Sequence, residues 1–490
     1  MEETERNLRE KIEQEAKNTL KKTMWEGYAN DILTGLQKNP GVQPDRPIWE
    51  LVQNARDVAY ENKKAKIVFI RKQDHFVFQH NGQPFTRTTL QSLILQTSSK
   101  VREDIIQVGQ YGTGFLTTHK FGLDFRLSGS LSLLEGLKFY NFSGRDFIIK
   151  RSAQDKVKLS DDLDATIAKT QQWGLDLNSL EDNPRRETIF EYQHNFNAER
   201  ENAKIAIKEA PKLVPYVLAL NKHIESISFI DEVEGPKKES FTFQNEEIYD
   251  NLENLRVYET TILHSQSGQK DKIISLFLLK SLRCLEEKTG ESKFTIILPL
   301  KKISEGLKVF NFDNSIPRLY LYLPLLGSKD WGCNFLFHSP SFTCDQDSRD
   351  SIMLRFNPQA EVHHDQINKD IIREASDALK KYLTYKYLNL TDARFLCPIN
   401  FVKGKSDNET NQYYQELQKE WVSFFECLNL VEYEDGKTIP VKSIRVLSNE
   451  LYLACEQDVS LLDAIYNLLS KAVHLILPNK EVKKTGVNIP

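Results

Sequence analysis

The sequence predicts an α+β fold made of more than one domain. Its length of 490 residues exceeds what one ordinary hydrophobic core organises. Strand-like alternation and helical periodicity both recur along the chain. The hydrophobic content of 40% and the charged content of 27% are typical of a folded globular protein.

Composition also limits the function classes. The formal net charge of -4 argues against a general electrostatic attraction to nucleic acid or anionic membrane, although it does not exclude a local basic patch. The sequence contains no run of eighteen apolar residues, and its charged amino-terminal stretch lacks the apolar core of a signal peptide. Six scattered cysteines without a C-x-x-C pair favour free thiols in a reducing, cytoplasmic compartment.

Residues 1–44 are predicted to form an N-terminal helical arm. Its helix, over 3–37, repeats apolar residues every four positions, at Leu8, Ile12, Ala16, Leu20 and Met24. The arm either packs on the following domain or a partner, or simply covers its own domain.

Residues 45–200 are predicted to form the first α+β domain, with a mixed sheet and helices on one face. A helix carrying Trp49–Asp57 opens it, and Pro47 suits the first turn of that helix. The predicted elements that follow are a hairpin at 64–71 and 75–80, a turn at 81–86, a helix at 88–95, a mobile segment at 96–107, a glycine-rich turn at 109–115 that leads into a helix, strands at 122–129 and 136–142, a helix at 160–172 and a strand at 186–192.

Residues 201–390 are predicted to form a second α+β domain, from a helix at 206–223 through several strands to a long helix at about 364–388. Residues 391–490 are predicted to be mostly helical, at 409–428 and 460–476, with a short strand pair between. The polar tail after the last helix suggests a fragment of a longer polypeptide, and a flexible natural terminus would give the same pattern.

Two stretches of the first domain carry chemistry. Glu50, Asn54 and Asp57 are spaced by four and three residues, so a helix places them on one face. A carboxylate and a carboxamide on one face suit activation of a water and binding of a hard cation, whereas a lone match of this kind is more often a solvated helix face. The three glycines of the stretch 109–114 free the backbone to approach a phosphate, with a tight turn as the plain alternative.

Together, the stretches WELVQNARD (49–57), HNGQPF (80–85) and GQYGTGF (109–115) resemble the nucleotide-binding boxes of the GHKL ATPases. That superfamily includes gyrase B, MutL, histidine kinases, MORC proteins and the ninety-kilodalton heat-shock chaperones. The first two stretches look most like the sacsin-type branch found in large bacterial proteins. The resemblance is strong over about 45–120 and implies a Bergerat-type ATP-binding sandwich, followed by a transducer-like α+β domain.

The resemblance also implies roles for individual residues, with ATP and Mg²⁺ as cofactors. Glu50 matches the general base, Asn54 the Mg²⁺ ligand, Asp57 a pocket residue, Gly82 the floor under the adenine, and Thr188 a strand threonine on the adenine side. The phosphate-binding set comprises the lid candidates Ser98, Ser99 and Lys100 and the glycine-box residues Gly109, Gln110, Tyr111, Gly112, Thr113, Gly114 and Phe115.

The second box departs from the family pattern. His80 stands where the family has an aspartate that accepts a hydrogen bond from the adenine amino group, and Asn81 follows it. A neutral imidazole or an amide oxygen can accept such a bond, so either residue is a candidate reader of the base.

In the second domain, Arg349 resembles the arginine that reaches the γ-phosphate, with Arg355 and Lys301 as rivals and a surface ion pair as the plain alternative. The adjacent His363 and His364 point to different faces of a helix, and we assign them to a helix start rather than to a metal site.

These features predict slow Mg²⁺-dependent ATP hydrolysis that drives lid closure and domain rearrangement in a larger machine, with a role in bacterial anti-phage defence as the favoured process. The alternatives are a chaperone-like scaffold that binds ATP as a switch and hydrolyses little, and an ATP-gated DNA clamp of the MORC or MutL kind. The expected partner is a second copy of the chain or another protein, contacted through the arm and the lid.

Overall fold

The computed structural model describes residues 2–38, 41–97, 114–235, 237–268, 272–285, 292–304, 306–345, 350–359, 361–386, 390–396, 399–401, 408–434, 437–440, 460 and 464. The chain divides into two compact units. Unit 1 comprises Met1–Asn245 and Thr261–Phe277, and unit 2 comprises Glu246–Thr260 and Leu278–Pro490.

Unit 1 combines a mixed sheet with helices. Its α-helices are α1 (Glu2–Gln37), α2 (Arg46–Asp57), α3 (Arg87–Leu95), α4 (Lys156–Gln171), α5 (Asn197–Glu209) and α6 (Val214–Leu220). Its strands are β1 (Ala65–Arg71), β2 (His75–His80), β3 (Phe125–Leu133), β4 (Lys138–Phe142), β5 (Ile148–Ile149), β6 (Leu180–Glu181), β7 (Thr188–Gln193) and β8 (Ile224–Asp231). The next three strands, β9 (Lys237–Leu252), β10 (Leu255–Ser267) and β11 (Lys272–Leu285), contribute residues to both units.

The strand order β8-β1-β2-β7-β3-β4-β6 places the hairpin β1–β2 near the middle of the unit 1 sheet. β8 runs parallel to β1, and the other neighbours in this order pair antiparallel. Side chains at alternate strand positions make one face of this sheet apolar and buried. On this face the ring of Phe78 contacts those of Phe69 and Phe190, and Phe190 also contacts Phe125. This buried face underlies the candidate site.

The long helix α1 has two different halves. Trp25, Ala29 and Ile32 are buried, and Lys21 and Glu26 form ion pairs with Asp164 and Lys156 of α4. Toward the amino terminus, by contrast, the apolar side chains of the repeat are exposed, as Leu8 (59%) and Leu20 (72%) show. The second half of the arm therefore covers its own unit, and the first half presents apolar side chains to solvent.

Unit 2 has its own core. Its strands are β12 (Ser292–Leu298), β13 (Leu300–Ile303), β14 (Gly306–Val309), β15 (Leu319–Leu321), β16 (Leu323–Pro324), β17 (Leu336–His338), β18 (Leu390–Thr391), β19 (Asn429–Glu434) and β20 (Lys437–Pro440). Helices α7 (His364–Lys386) and α8 (Asn408–Cys427) share one hydrophobic core, in which Trp421 stacks on Phe335 with ring centroids 5.1 Å apart.

The structure is mixed α+β, as the sequence predicts, and differs from the predicted elements in explicable places. The helix predicted at 206–223 is divided by a 3₁₀ turn, Ala210–Leu213, because Pro211 and Pro215 lack the backbone N–H groups that a continuous helix needs. Strand β8, which follows the predicted domain boundary at residue 200, pairs with β1 within unit 1. The helix predicted at 460–476 lies outside the described residues, apart from positions 460 and 464.

Across the described ranges, no helix is both long enough and apolar enough to cross a membrane.

Candidate functional site

Helix α2 presents its polar face because its apolar face is fixed in the core. Ile48, Leu51, Val52 and Ala55 are fully buried, and Pro47 lies in the first turn. This stripe leaves Glu50, Asn54 and Asp57 on the other side of the helix, where all three are partly buried. The spacing predicted from the sequence is therefore realised on a regular helix.

Each polar residue of α2 has a different environment. The Glu50 carboxylate pairs with Arg46 one turn earlier, with Nη2 and Oε1 3.4 Å apart. The Asp57 side chain is almost fully buried beside Arg56, with Oδ1 and Nη1 3.5 Å apart. The Asn54 side-chain amide makes no hydrogen bond to any described residue, so it is available to a ligand.

The end of the glycine stretch lies directly against Glu50. An ideal Cβ at Gly114 would overlap the Glu50 carboxylate and lie 2.7 Å from its Cδ. A side chain at this position would displace the Glu50 carboxylate, so the glycine lets the backbone of residue 114 lie directly against the acid. Residues 64 positions apart in the sequence meet here.

The segment that follows Gly114 is a 3₁₀ helix, Gly114–Phe121, in place of the predicted α-helix. The hydroxyls of Thr117 and Thr118 donate to the carbonyls of Gly114 and Phe115, three residues earlier, which favours the tighter turn. The Phe115 ring packs against Phe125 and Phe190, with centroids 5.9 and 6.0 Å away. This packing anchors the end of the glycine stretch to the sheet.

His80, the last residue of β2, is buried and neutral. Its Nδ1 accepts a hydrogen bond from the Gly82 backbone N–H at 3.1 Å, and burial lowers its pKa to about 4. Since Nδ1 is the acceptor, the proton of the neutral ring is on Nε2.

The next two residues shape the loop after β2. The Asn81 Oδ1 accepts from the Lys66 N–H at 2.7 Å and its Nδ2 donates to the Lys64 carbonyl at 3.3 Å, so the amide ties the loop to β1. Gly82 passes close to the end of α2, where an added Cβ would lie 2.6 Å from Val58 Cγ2 and 2.9 Å from the Val58 oxygen. The glycine is therefore required by close packing.

Thr188 begins β7 and lies directly opposite His80 in the antiparallel pair β2–β7. Residues opposite each other in such a pair project to the same face. Both side chains are buried, with 4% of Thr188 and 5% of His80 exposed. The chain thus brings together two residues that the sequence places more than a hundred positions apart.

An open cavity of about 640 Å³ lies beside these strand ends. It is lined by residues 60–63 after α2, by Asn81 and Gln83 after β2, and by residues 184–186 before β7. Its volume is in the range of small-ligand sites.

The remaining predicted site residues lie outside the described part of the chain. They are Ser98, Ser99, Lys100, Gly109, Gln110, Tyr111, Gly112, Thr113 and Arg349. In unit 2, the rivals Lys301 and Arg355 are exposed, and His364 begins α7 with its Nδ1 3.1 Å from Thr343 Oγ1.

Sequence reasoning missed Arg46, the ion-pair partner of Glu50. Its signal was available, since a basic residue four positions before an acid on a helix lies beside it. Among the residues that the structure describes, no group of three or more histidine, cysteine, aspartate or glutamate residues forms a metal site by itself.

No protein-family model matches the chain, and no curated protein matches it. Among solved structures, the chain is similar to the crystal structure of the 43K ATPase domain of Thermus thermophilus gyrase B in complex with an aminocoumarin, at 10% sequence identity and a TM-score of 0.22. The match covers 44% of this chain and 56% of that chain, little more than half of its length.

Proposed function

We propose that unit 1 binds a nucleoside triphosphate with Mg²⁺ and hydrolyses it slowly. The proposal is carried by the contact between Glu50 and Gly114, which joins an acid that suits activation of water to the end of a glycine stretch that suits binding of phosphate. The sequence resemblance to the GHKL ATPases assigns these two residues to the same site independently of the contact.

Glu50 acts as the general base. Its carboxylate is partly buried and held by Arg46, so it is oriented without being sealed from a ligand. A water bound between this carboxylate and the terminal phosphate would lose its proton to Glu50 as it attacks the phosphorus. The bond from that phosphorus to the bridging oxygen would break, and the nucleoside diphosphate would leave. The backbone at Gly114 leaves room for that arrangement because no side chain intervenes.

Asn54 supplies the protein ligand for Mg²⁺. Its amide oxygen lies one helical turn after Glu50 and is unengaged within the described residues. Mg²⁺ at nucleotide sites is held by few protein oxygens together with substrate phosphates and water, so one carboxamide fits this donor set. The bound ion would neutralise phosphate charge.

A second copy of the chain is the partner we propose for the exposed half of α1. Its apolar repeat is solvent-exposed, as Leu8 and Leu20 show, and this helix is rich in charges of both signs. Residues 2–15 include six acidic and three basic residues, whereas the only charged residues of 16–22 are three lysines. Two such helices packed antiparallel would oppose these segments favourably.

The test is phosphate release by the full chain with Mg²⁺ and ATP, together with equilibrium ATP binding. Glu50→Gln should bind ATP and lose about 10²- to 10⁴-fold in rate, as expected for removal of a general base. Glu201→Gln, an exposed acid on α5, is the matched control and should retain the wild-type rate. Unchanged release by Glu50→Gln would refute the assignment, and ATP binding without release by wild type would favour the switch alternative.

A further inference from the structure

The buried ring of His80 has one hydrogen-bond donor that no described residue uses. The ring is 5% exposed and lies against Phe190, with centroids 6.3 Å apart. Its Nδ1 already accepts the Gly82 N–H, and no described residue accepts from Nε2–H. The Nε2–H can therefore donate to an acceptor that a bound ligand supplies.

The hydrogen bond from the Gly82 backbone determines which His80 nitrogen carries the proton. The backbone N–H of Gly82 can only donate, so the nitrogen 3.1 Å from it must carry a lone pair. A neutral imidazole has one N–H, which is then on Nε2. His80 therefore meets a ligand as a donor.

Thr188 supplies the second unused group. Its hydroxyl has no hydrogen-bond partner in the described ranges, and it lies opposite His80 on the same buried face. A hydroxyl both donates and accepts. The pair thus offers one fixed donor and one adaptable group, while the Asn81 amide is held in place by the backbone of Lys64 and Lys66.

We propose that His80 reads the purine through an acceptor atom of the base, so that the site takes 6-oxopurine nucleotides at least as well as ATP. The inference rests on the proposed nucleotide site. A site that selects adenine through its amino group needs a fixed hydrogen-bond acceptor. His80 is not such an acceptor, because its Nδ1 is bound to the Gly82 N–H and its Nε2 carries the proton. A ring nitrogen or a carbonyl oxygen of the base satisfies Nε2–H, while the Thr188 hydroxyl adapts to an adjacent donor or acceptor.

The experiment measures equilibrium dissociation constants of the full chain for ATP, ITP and purine riboside triphosphate with Mg²⁺. ITP and ATP differ at the six-position of the base and in the protonation of N1, and the third probe lacks a six-substituent. His80→Asn keeps an acceptor near the position of Nδ1 for the Gly82 N–H and removes the Nε2–H. Thr188→Val removes the hydroxyl at nearly constant shape, and His75→Asn on the same strand is the matched control.

ITP is expected to bind at least as tightly as ATP, and His80→Asn is expected to weaken ITP about threefold to tenfold, the size of one neutral hydrogen bond. His75→Asn should change none of the constants. ATP binding more than tenfold tighter than ITP, or a His80→Asn protein with unaltered constants for all three probes, would overturn the inference and leave the nucleotide site standing. Absence of binding by every nucleotide would overturn the proposed function as well.

Discussion

Replacement of Gly114 by alanine tests the contact that carries the proposed function. The new Cβ would overlap the Glu50 carboxylate and lie 2.7 Å from Cδ and 3.1 Å from Oε1. Ordinary contact distances for such atoms are about 3.5 Å, so the carboxylate must retreat by roughly 1 Å. A displacement of about 1 Å in a catalytic group can cost about 10²-fold in rate, or about 2.7 kcal/mol in the activation free energy.

The same change should affect stability little. The overlapping atoms belong to the end of a flexible side chain, which moves at low cost, so we expect the free energy of unfolding to change by less than about 1 kcal/mol. The assays are steady-state phosphate release and urea denaturation of the full chain. Gly41→Ala is the matched control, because an added Cβ there meets no atom within 4 Å. Wild-type hydrolysis by Gly114→Ala would refute the reasoning, because Glu50 would then work from another position.

Three further predictions concern the core, pH and the arm. Phe69→Ala should lower the free energy of unfolding by about 3–5 kcal/mol in urea denaturation, because the fully buried ring packs against other rings of the sheet. Phe196 is 59% exposed, so Phe196→Ala should lower the free energy of unfolding much less. Burial, with a smaller contribution from a nearby arginine, lowers the pKa of His119 to about 3, so the folded chain keeps this ring neutral while the unfolded chain protonates it below about 6.5. The contribution of His119 to the free energy of unfolding is therefore fully present above pH 6.5 and is lost as the pH falls toward 3, with a loss of about 2 kcal/mol at pH 5. His119→Gln should remove this part of the pH dependence of unfolding. An unchanged pH dependence would contradict the assignment. Ile12→Glu with Leu20→Glu should convert a dimer to a monomer in sedimentation equilibrium, and a wild-type monomer at high concentration would rule out the proposed arm contact.

Local sequence patterns predicted the elements that depend on local chemistry. The arm helix, the β1–β2 hairpin and α3 have bounds within one residue of those predicted, because periodicity and turn residues determine them. Helix α4 begins earlier than predicted, at Lys156, because the Asp155 side chain accepts from the N–H groups of Val157 and Lys158 and caps the helix. Asp155 is a recognisable N-cap residue in the sequence, but it lies before the apolar repeat from which the start of the helix was predicted.

The site was only partly predictable. The spacing of Glu50, Asn54 and Asp57 predicted a common helix face, and α2 has that face. The orientation of His80 was not predictable, because it depends on a backbone N–H two residues later and on the packing of the loop against Val58. The position of Gly114 against Glu50 likewise depends on tertiary packing. Residue roles at Ser98–Lys100, Gly109–Thr113 and Arg349 stay predictions.

A crystal structure of the full chain with Mg²⁺ and a non-hydrolysable ATP analogue would locate the nucleotide relative to α2. We expect the γ-phosphate beside Gly114, with a water between the phosphate and the Glu50 carboxylate, and Mg²⁺ bound to the Asn54 amide oxygen. We also expect a base acceptor within hydrogen-bond distance of His80 Nε2. A nucleotide bound away from α2, or no bound nucleotide at millimolar concentration, would contradict the proposed site.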